Sequence, residues 1–263
     1  MPNTSRDRPT PAALTPVIAR GRRAASETPK DLAWLRWLGR FRFVTAELMA
    51  LRFGVTVQNA RRRLALMIAA KVVTAHASGF GMPRLFVLAD AGALLVGYPP
   101  RRRPPRPELH QVHELAIVEL VASLELSAHA SARVLTERDC RRRTATGPVR
   151  YSVRVRSDRG EQNRWPDVAV IANAARIAVE IELAPKHTAR LAQIVRGYLL
   201  SNDYDEVRFL VASPSLARRL SAIALDQRAR LGLDHADDST RVVIDAWSHA
   251  SPTERDAIRA AST

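Results

Sequence analysis

The stretch Arg164–Lys186, RWPDVAVIANAARIAVEIELAPK, decides how the chain is read. Two apolar runs of strand composition, Val168–Ile171 and Arg176–Leu183, flank Asn173-Ala174, a turn signal, so the stretch predicts two adjacent strands. Asp167 stands where the first run begins, directly after Pro166, whose ring fixes its own φ. Glu180 and Glu182 alternate through the second run, so they share one face while Val179, Ile181 and Leu183 share the other. A carboxylate taken from water into such a run must be paired, hydrogen-bonded or metal-bound.

Two readings of the carboxylates follow. In one, Asp167 and Glu180 share a Mg²⁺ ion with water and Glu182 assists, because hard oxygen ligands and retained waters suit Mg²⁺ beside phosphates. Such an ion polarises a scissile phosphate and lowers the pKa of an attacking water. Lys186 is then placed to orient that water or to stabilise charge on phosphorus, and Glu114 is a further ligand or water-positioning candidate. In the other reading, Glu180 and Glu182 lie on a solvated sheet face paired with arginines such as Arg176 or Arg190.

Outward from this stretch, residues 110–250 read as one α/β domain. HQVHELAIVELVASLEL is a helix, and Ala132–Leu135 and Val149–Val155 are extended runs before the central pair. A helix over Lys186–Leu200, a strand Val207–Ala212, a helix Ser215–Arg230 and a strand Arg241–Trp247 follow, with a short helix after Pro252 in the tail 251–263. Strands first, then alternating helix and strand, is the pattern of a sheet covered by helices.

Residues 30–98 read as a compact helical unit that ends in a hairpin. DLAWLRWLGRF carries apolar residues at helical spacing, Thr45 caps AELMALRFG, and Thr56 caps VQNARRRLALMIAAK. In that third helix Val57, Ala60, Leu64, Met67 and Ile68 share the inner face, which leaves Gln58, Asn59, Arg61 and Arg62 outside, and these with Arg63 are the candidate DNA contacts of the helix. The runs Val72–Ala77 and Leu85–Leu88, separated by Gly79, Gly81 and Pro83, form a hairpin, with Arg84 and His76 near its tip. Helix, helix, exposed polar helix and hairpin is the order of a winged helix, whose third helix lies in the major groove of double-stranded DNA. A solvated helix face is the alternative meaning of the Arg61–Arg63 run.

Between the two units, residues 99–109, PPRRRPPRPEL, form a Pro-rich linker whose Arg101, Arg102, Arg103 and Arg106 can track a phosphate backbone. Residues 1–29 mix Pro, Ser, Thr and Arg without periodicity and read as a disordered basic tail. The 263 residues carry 41 Lys plus Arg against 26 Asp plus Glu, a net charge of +15, and only Lys30, Lys71 and Lys186 are lysines. Residues 1–109 hold 19 basic and 6 acidic residues while residues 110–263 hold 22 and 20, so the excess sits in the N-terminal half. Codon bias toward Ala and Arg accounts for part of the arginine number but not for this imbalance. An arginine surface suits phosphates and guanine edges.

Cys140 is the only cysteine, which excludes an internal disulfide and a cysteine-built zinc site. It lies among Arg138 and Arg141–Arg143, an arginine-rich turn that, with Arg150, Arg154, Arg156 and Arg164, suggests a DNA-facing patch on the second domain. No apolar run approaches the roughly 20 residues that span a bilayer, and no apolar leader follows the first basic residues, so a cytoplasmic protein without membrane contact is expected. No Gly-rich phosphate loop is present, so ATP use is unsupported.

Pro166-Asp167 and Glu180-x-Glu182, set within the order helix, strands, helix, strand (αβββαβ), resemble the PD-(D/E)xK nuclease superfamily over residues 110–212. The family pattern has a lysine where this chain has Glu182, and Lys186 is the substitute that the resemblance offers. Taken together, the FVTAE segment, the Pro-rich linker, HELAIVEL, RWPDVAV, AVEIELAPK and RGYL over residues 30–212 resemble the replication-relaxation family. That resemblance implies DNA metabolism on a plasmid or other mobile element, with replication or transfer proteins as further partners. It leaves two forms of the C-terminal domain: one that nicks or cleaves DNA with Mg²⁺, and an inactive fold that serves as a DNA-binding accessory or regulator.

Overall fold

The structure, a computed structural model, describes residues 28–77, 83–99, 108–127, 132–157, 160–172, 175–233 and 240–247. The basic tail through residue 27, Arg101–Arg103 of the linker, the Asn173-Ala174 turn and the helix expected after Pro252 lie outside these residues.

Three threonine-capped helices open the described chain. Thr28, Thr45 and Thr56 have extended backbones, and their hydroxyls accept from the amides of Asp31, Leu48 and Asn59 at the starts of α1 (Pro29–Gly39), α2 (Ala46–Phe53) and α3 (Val57–Ala69). Gly54, in the left-handed conformation (φ 60°), closes α2 and turns the chain toward α3. The inner face of α3 is Ala60, Leu64 and Met67, all buried, as the 3.6-residue spacing requires. Strands β1 (Val73–His76) and β2 (Leu85–Leu88) pair antiparallel, and Val44 bridges to Phe86 on the free edge of the hairpin. Helix α4 (Asp90–Leu95) completes this unit.

The second part is a five-stranded sheet between helical layers. Its elements are α5 (Glu108–Ser127), β3 (Arg133–Thr136), α6 (Glu137–Thr146), β4 (Val153–Ser157), β5 (Gly160–Arg164), β6 (Val168–Ala172), β7 (Ala175–Glu182), α7 (Thr188–Leu199), β8 (Glu206–Val211), α8 (Pro214–Leu231) and β9 (Arg241–Ala246). The sheet order is β3-β6-β7-β8-β9, antiparallel through β7 and parallel from β7 to β9, so the chain is mixed α/β as the pattern predicted. One face of the sheet (Val134, Val168, Val179, Ile181, Leu210) shares its core with α5 and with the N-terminal helices. The other (Ala169, Ala178, Val207, Phe209, Val211) packs under α7, α8 and the separate β4–β5 hairpin.

Two local expectations are corrected. The arginine-rich turn is the helix α6, started by a capping box in which the Thr136 side chain accepts from the Asp139 amide and Asp139 accepts from the Thr136 amide. The run expected over Val149–Val155 becomes strand only from Val153, in the first strand of a hairpin whose second strand, GEQNR, has no apolar residue to announce it.

The N-terminal unit is not tethered by the linker alone. Residues of α1 and α2 share one core with Ala116, Val118, Leu120 and Val121 of α5. Over this contact Arg40, with a side chain 13% exposed, pairs with Glu125 and with Asp139 (2.7 Å) and donates to Val134 O (2.6 Å). Arg52 and the Trp37 indole N–H reach the same Glu125 carboxylate at 2.6 and 3.0 Å.

Candidate functional site

Strand alternation puts Glu180 and Glu182 on the α7 face of the sheet, and both are almost completely buried. Burial makes the partners of each carboxylate the deciding observation. Glu180 Oε1 accepts from the Tyr198 hydroxyl at 2.6 Å, and Oε2 accepts from Arg164 Nη2 at 2.6 Å. Tyr198 comes from α7 and Arg164 from the end of β5, so three elements close around one charge. The Glu180 charge holds the Arg164 guanidinium above its usual range, while burial pushes the Tyr198 hydroxyl well above its own.

Glu182 is ion-paired with Lys186, which follows β7 in the loop to α7. Burial raises the Glu182 carboxyl, with the lysine charge acting against it. Asp167 follows a third pattern. Its Oδ2 accepts from the Ile181 amide at 2.9 Å and lies 3.3 Å from His113 Nε2, which is also 3.0 Å from the Ile181 carbonyl oxygen. Burial alone raises an aspartate, but the hydrogen bond and charge of His113 hold Asp167 below its usual range. Glu114, next to His113 on α5, pairs with Arg42 of the N-terminal unit at 2.9 Å, and its burial raises its pKa.

Asp167, Glu180, Glu182, Lys186 and Glu114 are therefore neighbours in the fold, but each carboxylate has its own donor. Among the described residues no group of three or more His, Cys, Asp or Glu side chains is arranged to hold a metal ion. The donor set does not fit a shared Mg²⁺ ion in this arrangement. Both oxygens of Glu180 already accept from cations or hydroxyls, and Lys186 is engaged in neutralising Glu182. The solvated-face alternative is also displaced, since Glu180 has no solvent exposure and its partner is Arg164, not Arg176 or Arg190. Sequence reasoning missed His113, Arg164 and Tyr198 as partners. Arg164 and the RGYL tyrosine were in view as motif residues, without a reason to bring them to one carboxylate.

On the N-terminal unit, Gln58, Asn59, Arg61 and Arg62 are exposed on the outer face of α3. Arg61 pairs with Glu47 at 2.8 Å, whereas Arg62 makes no ion pair among the described residues. Arg63, expected as a DNA contact, is engaged within the unit instead. Its Nη2 lies 2.6 Å from Oδ1 of the buried Asp31, and its guanidinium sits 5.3 Å above the Trp34 ring, so it joins α3 to α1. Arg84 is exposed beside the hairpin and lies over Phe86.

The arginine patch expected on the second domain divides. Arg138 stacks on Tyr98 at 4.5 Å, Arg141 stacks on Trp165 at 4.4 Å, and Arg164 is committed to Glu180. Arg150, Arg154 and Arg156 remain exposed. Cys140 is fully buried, and burial pushes its thiol far above the ordinary range, which fits a packing role. No described helix is long and apolar enough to cross a membrane. No family model, curated protein or solved structure matches the chain.

Proposed function

We propose that the chain binds duplex DNA, with the N-terminal unit acting as a winged helix and the C-terminal α/β domain as a nuclease-like fold that does not cleave. The observation that carries this reading is the outer face of α3. Gln58, Asn59 and Arg62 stand exposed there, while Ala60, Leu64 and Met67 anchor the opposite face. A helix held so, behind a short helix and ahead of a hairpin, offers side chains suited to adenine and guanine edges in the major groove. The resemblance to replication-relaxation proteins directs the binding to plasmid or mobile-element DNA, with replication or transfer proteins as partners. Support for a non-cleaving domain comes from the separate neutralisation of Glu180 and Glu182.

Binding of duplexes selected from a random pool tests the α3 reading. Arg62→Ala and Gln58→Ala are each expected to weaken the selected site by about 1–3 kcal/mol and to relax base preference at one position. Unchanged affinity and preference in both variants overturn it. Supercoiled plasmid incubated with the protein and Mg²⁺ is expected to stay intact. Nicking that disappears in Asp167→Ala and Glu180→Ala replaces the accessory reading with a metal-dependent nuclease.

A further inference from the structure

The β4–β5 hairpin and α7 enclose a cleft of about 570 Å³ that the α3 reading leaves without a role. Its walls follow from strand alternation. Val153 and Val155 point into the core, so Arg154 and Arg156 point out along the same strand into the cleft, with Asn163 across the ladder from Arg154. Helix α7 contributes Gln193 and Arg196 from the other side, and Arg150 enters from the chain before β4. The walls approach closely because α7 carries Gly197 there: a Cβ at that position lies 2.8 Å from Arg154 O and 3.0 Å from Val155 Cγ2.

Four guanidinium groups thus face one concavity, against the carboxylates of Glu161 and Asp203. Arg154 lies 3.6 Å from Glu161, but both side chains are about two-thirds exposed, so that pair is weak. Arg150, Arg156 and Arg196 make no ion pair among the described residues. Arginines with no more than one weak ion pair among the described residues, beside the Asn163 and Gln193 amides, have the donors that oxyanions take up. Among the described residues that line the cleft none is aromatic, so they offer no platform on which an unpaired base can stack. Four cations facing one concavity match phosphate oxygens.

We propose that this cleft binds the phosphodiester backbone of duplex DNA, as a sequence-independent contact of the C-terminal domain. The proposal rests on the DNA-binding reading above and adds a second surface to it, on a different domain from α3. The two surfaces separate by salt dependence. Each phosphate contact contributes roughly −0.9 to the slope of log affinity against log salt concentration, so removing three arginines lowers the magnitude of that slope by about 2 to 3.

The test measures binding of the full chain to a mixed-sequence duplex across a salt series, for wild type and for the triple variant Arg154→Ala, Arg156→Ala, Arg196→Ala. A smaller slope in the variant, restored when the same three positions carry Lys, is the expected result. An unchanged slope overturns the proposal while leaving the α3 reading to its own variants. A smaller slope in the triple variant, with Arg62→Ala and Gln58→Ala without effect, keeps the cleft and removes α3. Absence of duplex binding by wild type at low salt overturns both. Amide hydrogen exchange of β4 and β5 supplies the second arm. Protection by duplex but not by inorganic pyrophosphate supports the backbone contact, and protection by pyrophosphate alone makes the cleft a small-anion site and overturns it.

Discussion

The Tyr198 hydroxyl on α7 donates to Oε1 of Glu180 at 2.6 Å, and the carboxylate it reaches has no solvent exposure. A carboxylate so placed is stable only with its donors intact, and the fold supplies a full cation through Arg164 as well as the neutral hydroxyl. The pair of glutamates in β7 is thereby part of the packing between sheet and α7 as well as a chemical feature.

Removing one partner leaves the Glu180 charge buried and uncompensated. Arg164→Ala is expected to destabilise the chain by about 3–5 kcal/mol, and Tyr198→Phe by about 1.5–3 kcal/mol because it deletes one hydrogen bond to a charged group. Replacing charge and countercharge together, with Arg164→Met and Glu180→Leu, is expected to recover most of the loss. Urea denaturation of the four proteins reads these differences. Equal stability of Arg164→Ala and wild type sinks the account.

How much of this was legible in sequence depends on which residues carried the signal. Acidic residues inside an apolar strand announce Glu180 and Glu182, and the α/β pattern follows from alternating runs. Their partners do not announce themselves, because Arg164, Tyr198 and His113 come from β5, α7 and α5 and meet only once the sheet is assembled. Strand β5 was invisible to a reading of hydrophobic alternation, being polar throughout and almost wholly exposed. Helix α6 buries only Cys140 among its charged residues, although Thr136 and Asp139 spell its capping box. The consecutive arginines of α3 point about 100° apart, so Arg63 swings toward Asp31 while Arg62 stays outside. The apolar run in α5, with Ala116, Ile117, Val118, Leu120, Val121 and Ala122 all buried, is the signature of a helix covered on more than one side. That run was the available sign that the N-terminal unit packs against it.

Two arginine pairs provide an internal comparison of ion-pair energetics. Arg40 is mostly buried and serves Glu125, Asp139 and the Val134 carbonyl, whereas Arg61 and Glu47 meet on an open surface, 67% and 47% exposed. Arg40→Ala is expected to cost about 3–5 kcal/mol and to open the contact of α1 and α2 with α5 to limited proteolysis. Arg61→Ala is expected to change stability by less than about 1 kcal/mol. Matching effects of the two substitutions contradict the role assigned to Arg40.

The pairing of His113 with Asp167 gives stability a pH dependence whose sign can be worked out. Burial opposes a charged imidazole, but the hydrogen bond and charge of Asp167, with Glu114 adding to them and Lys186 acting against, raise His113 above its ordinary value of 6.5. A raised histidine contributes stability that is complete below its unfolded value and is lost as pH rises through the folded value. Asp167 is held below its ordinary 3.8, so its contribution is complete above that value and is lost as pH falls through the depressed one. Both contributions coexist from about pH 4 to about pH 6.5 and the histidine share disappears on the alkaline side. His113→Gln can still hydrogen-bond to Asp167 but carries no charge. Its deficit against wild type is therefore expected to be larger near pH 5.5 than near pH 8.5, measured by urea denaturation at each pH. A deficit that does not change between the two values means that His113 remains neutral in the folded chain and that Asp167 is held down by the Ile181 amide and Arg164 instead.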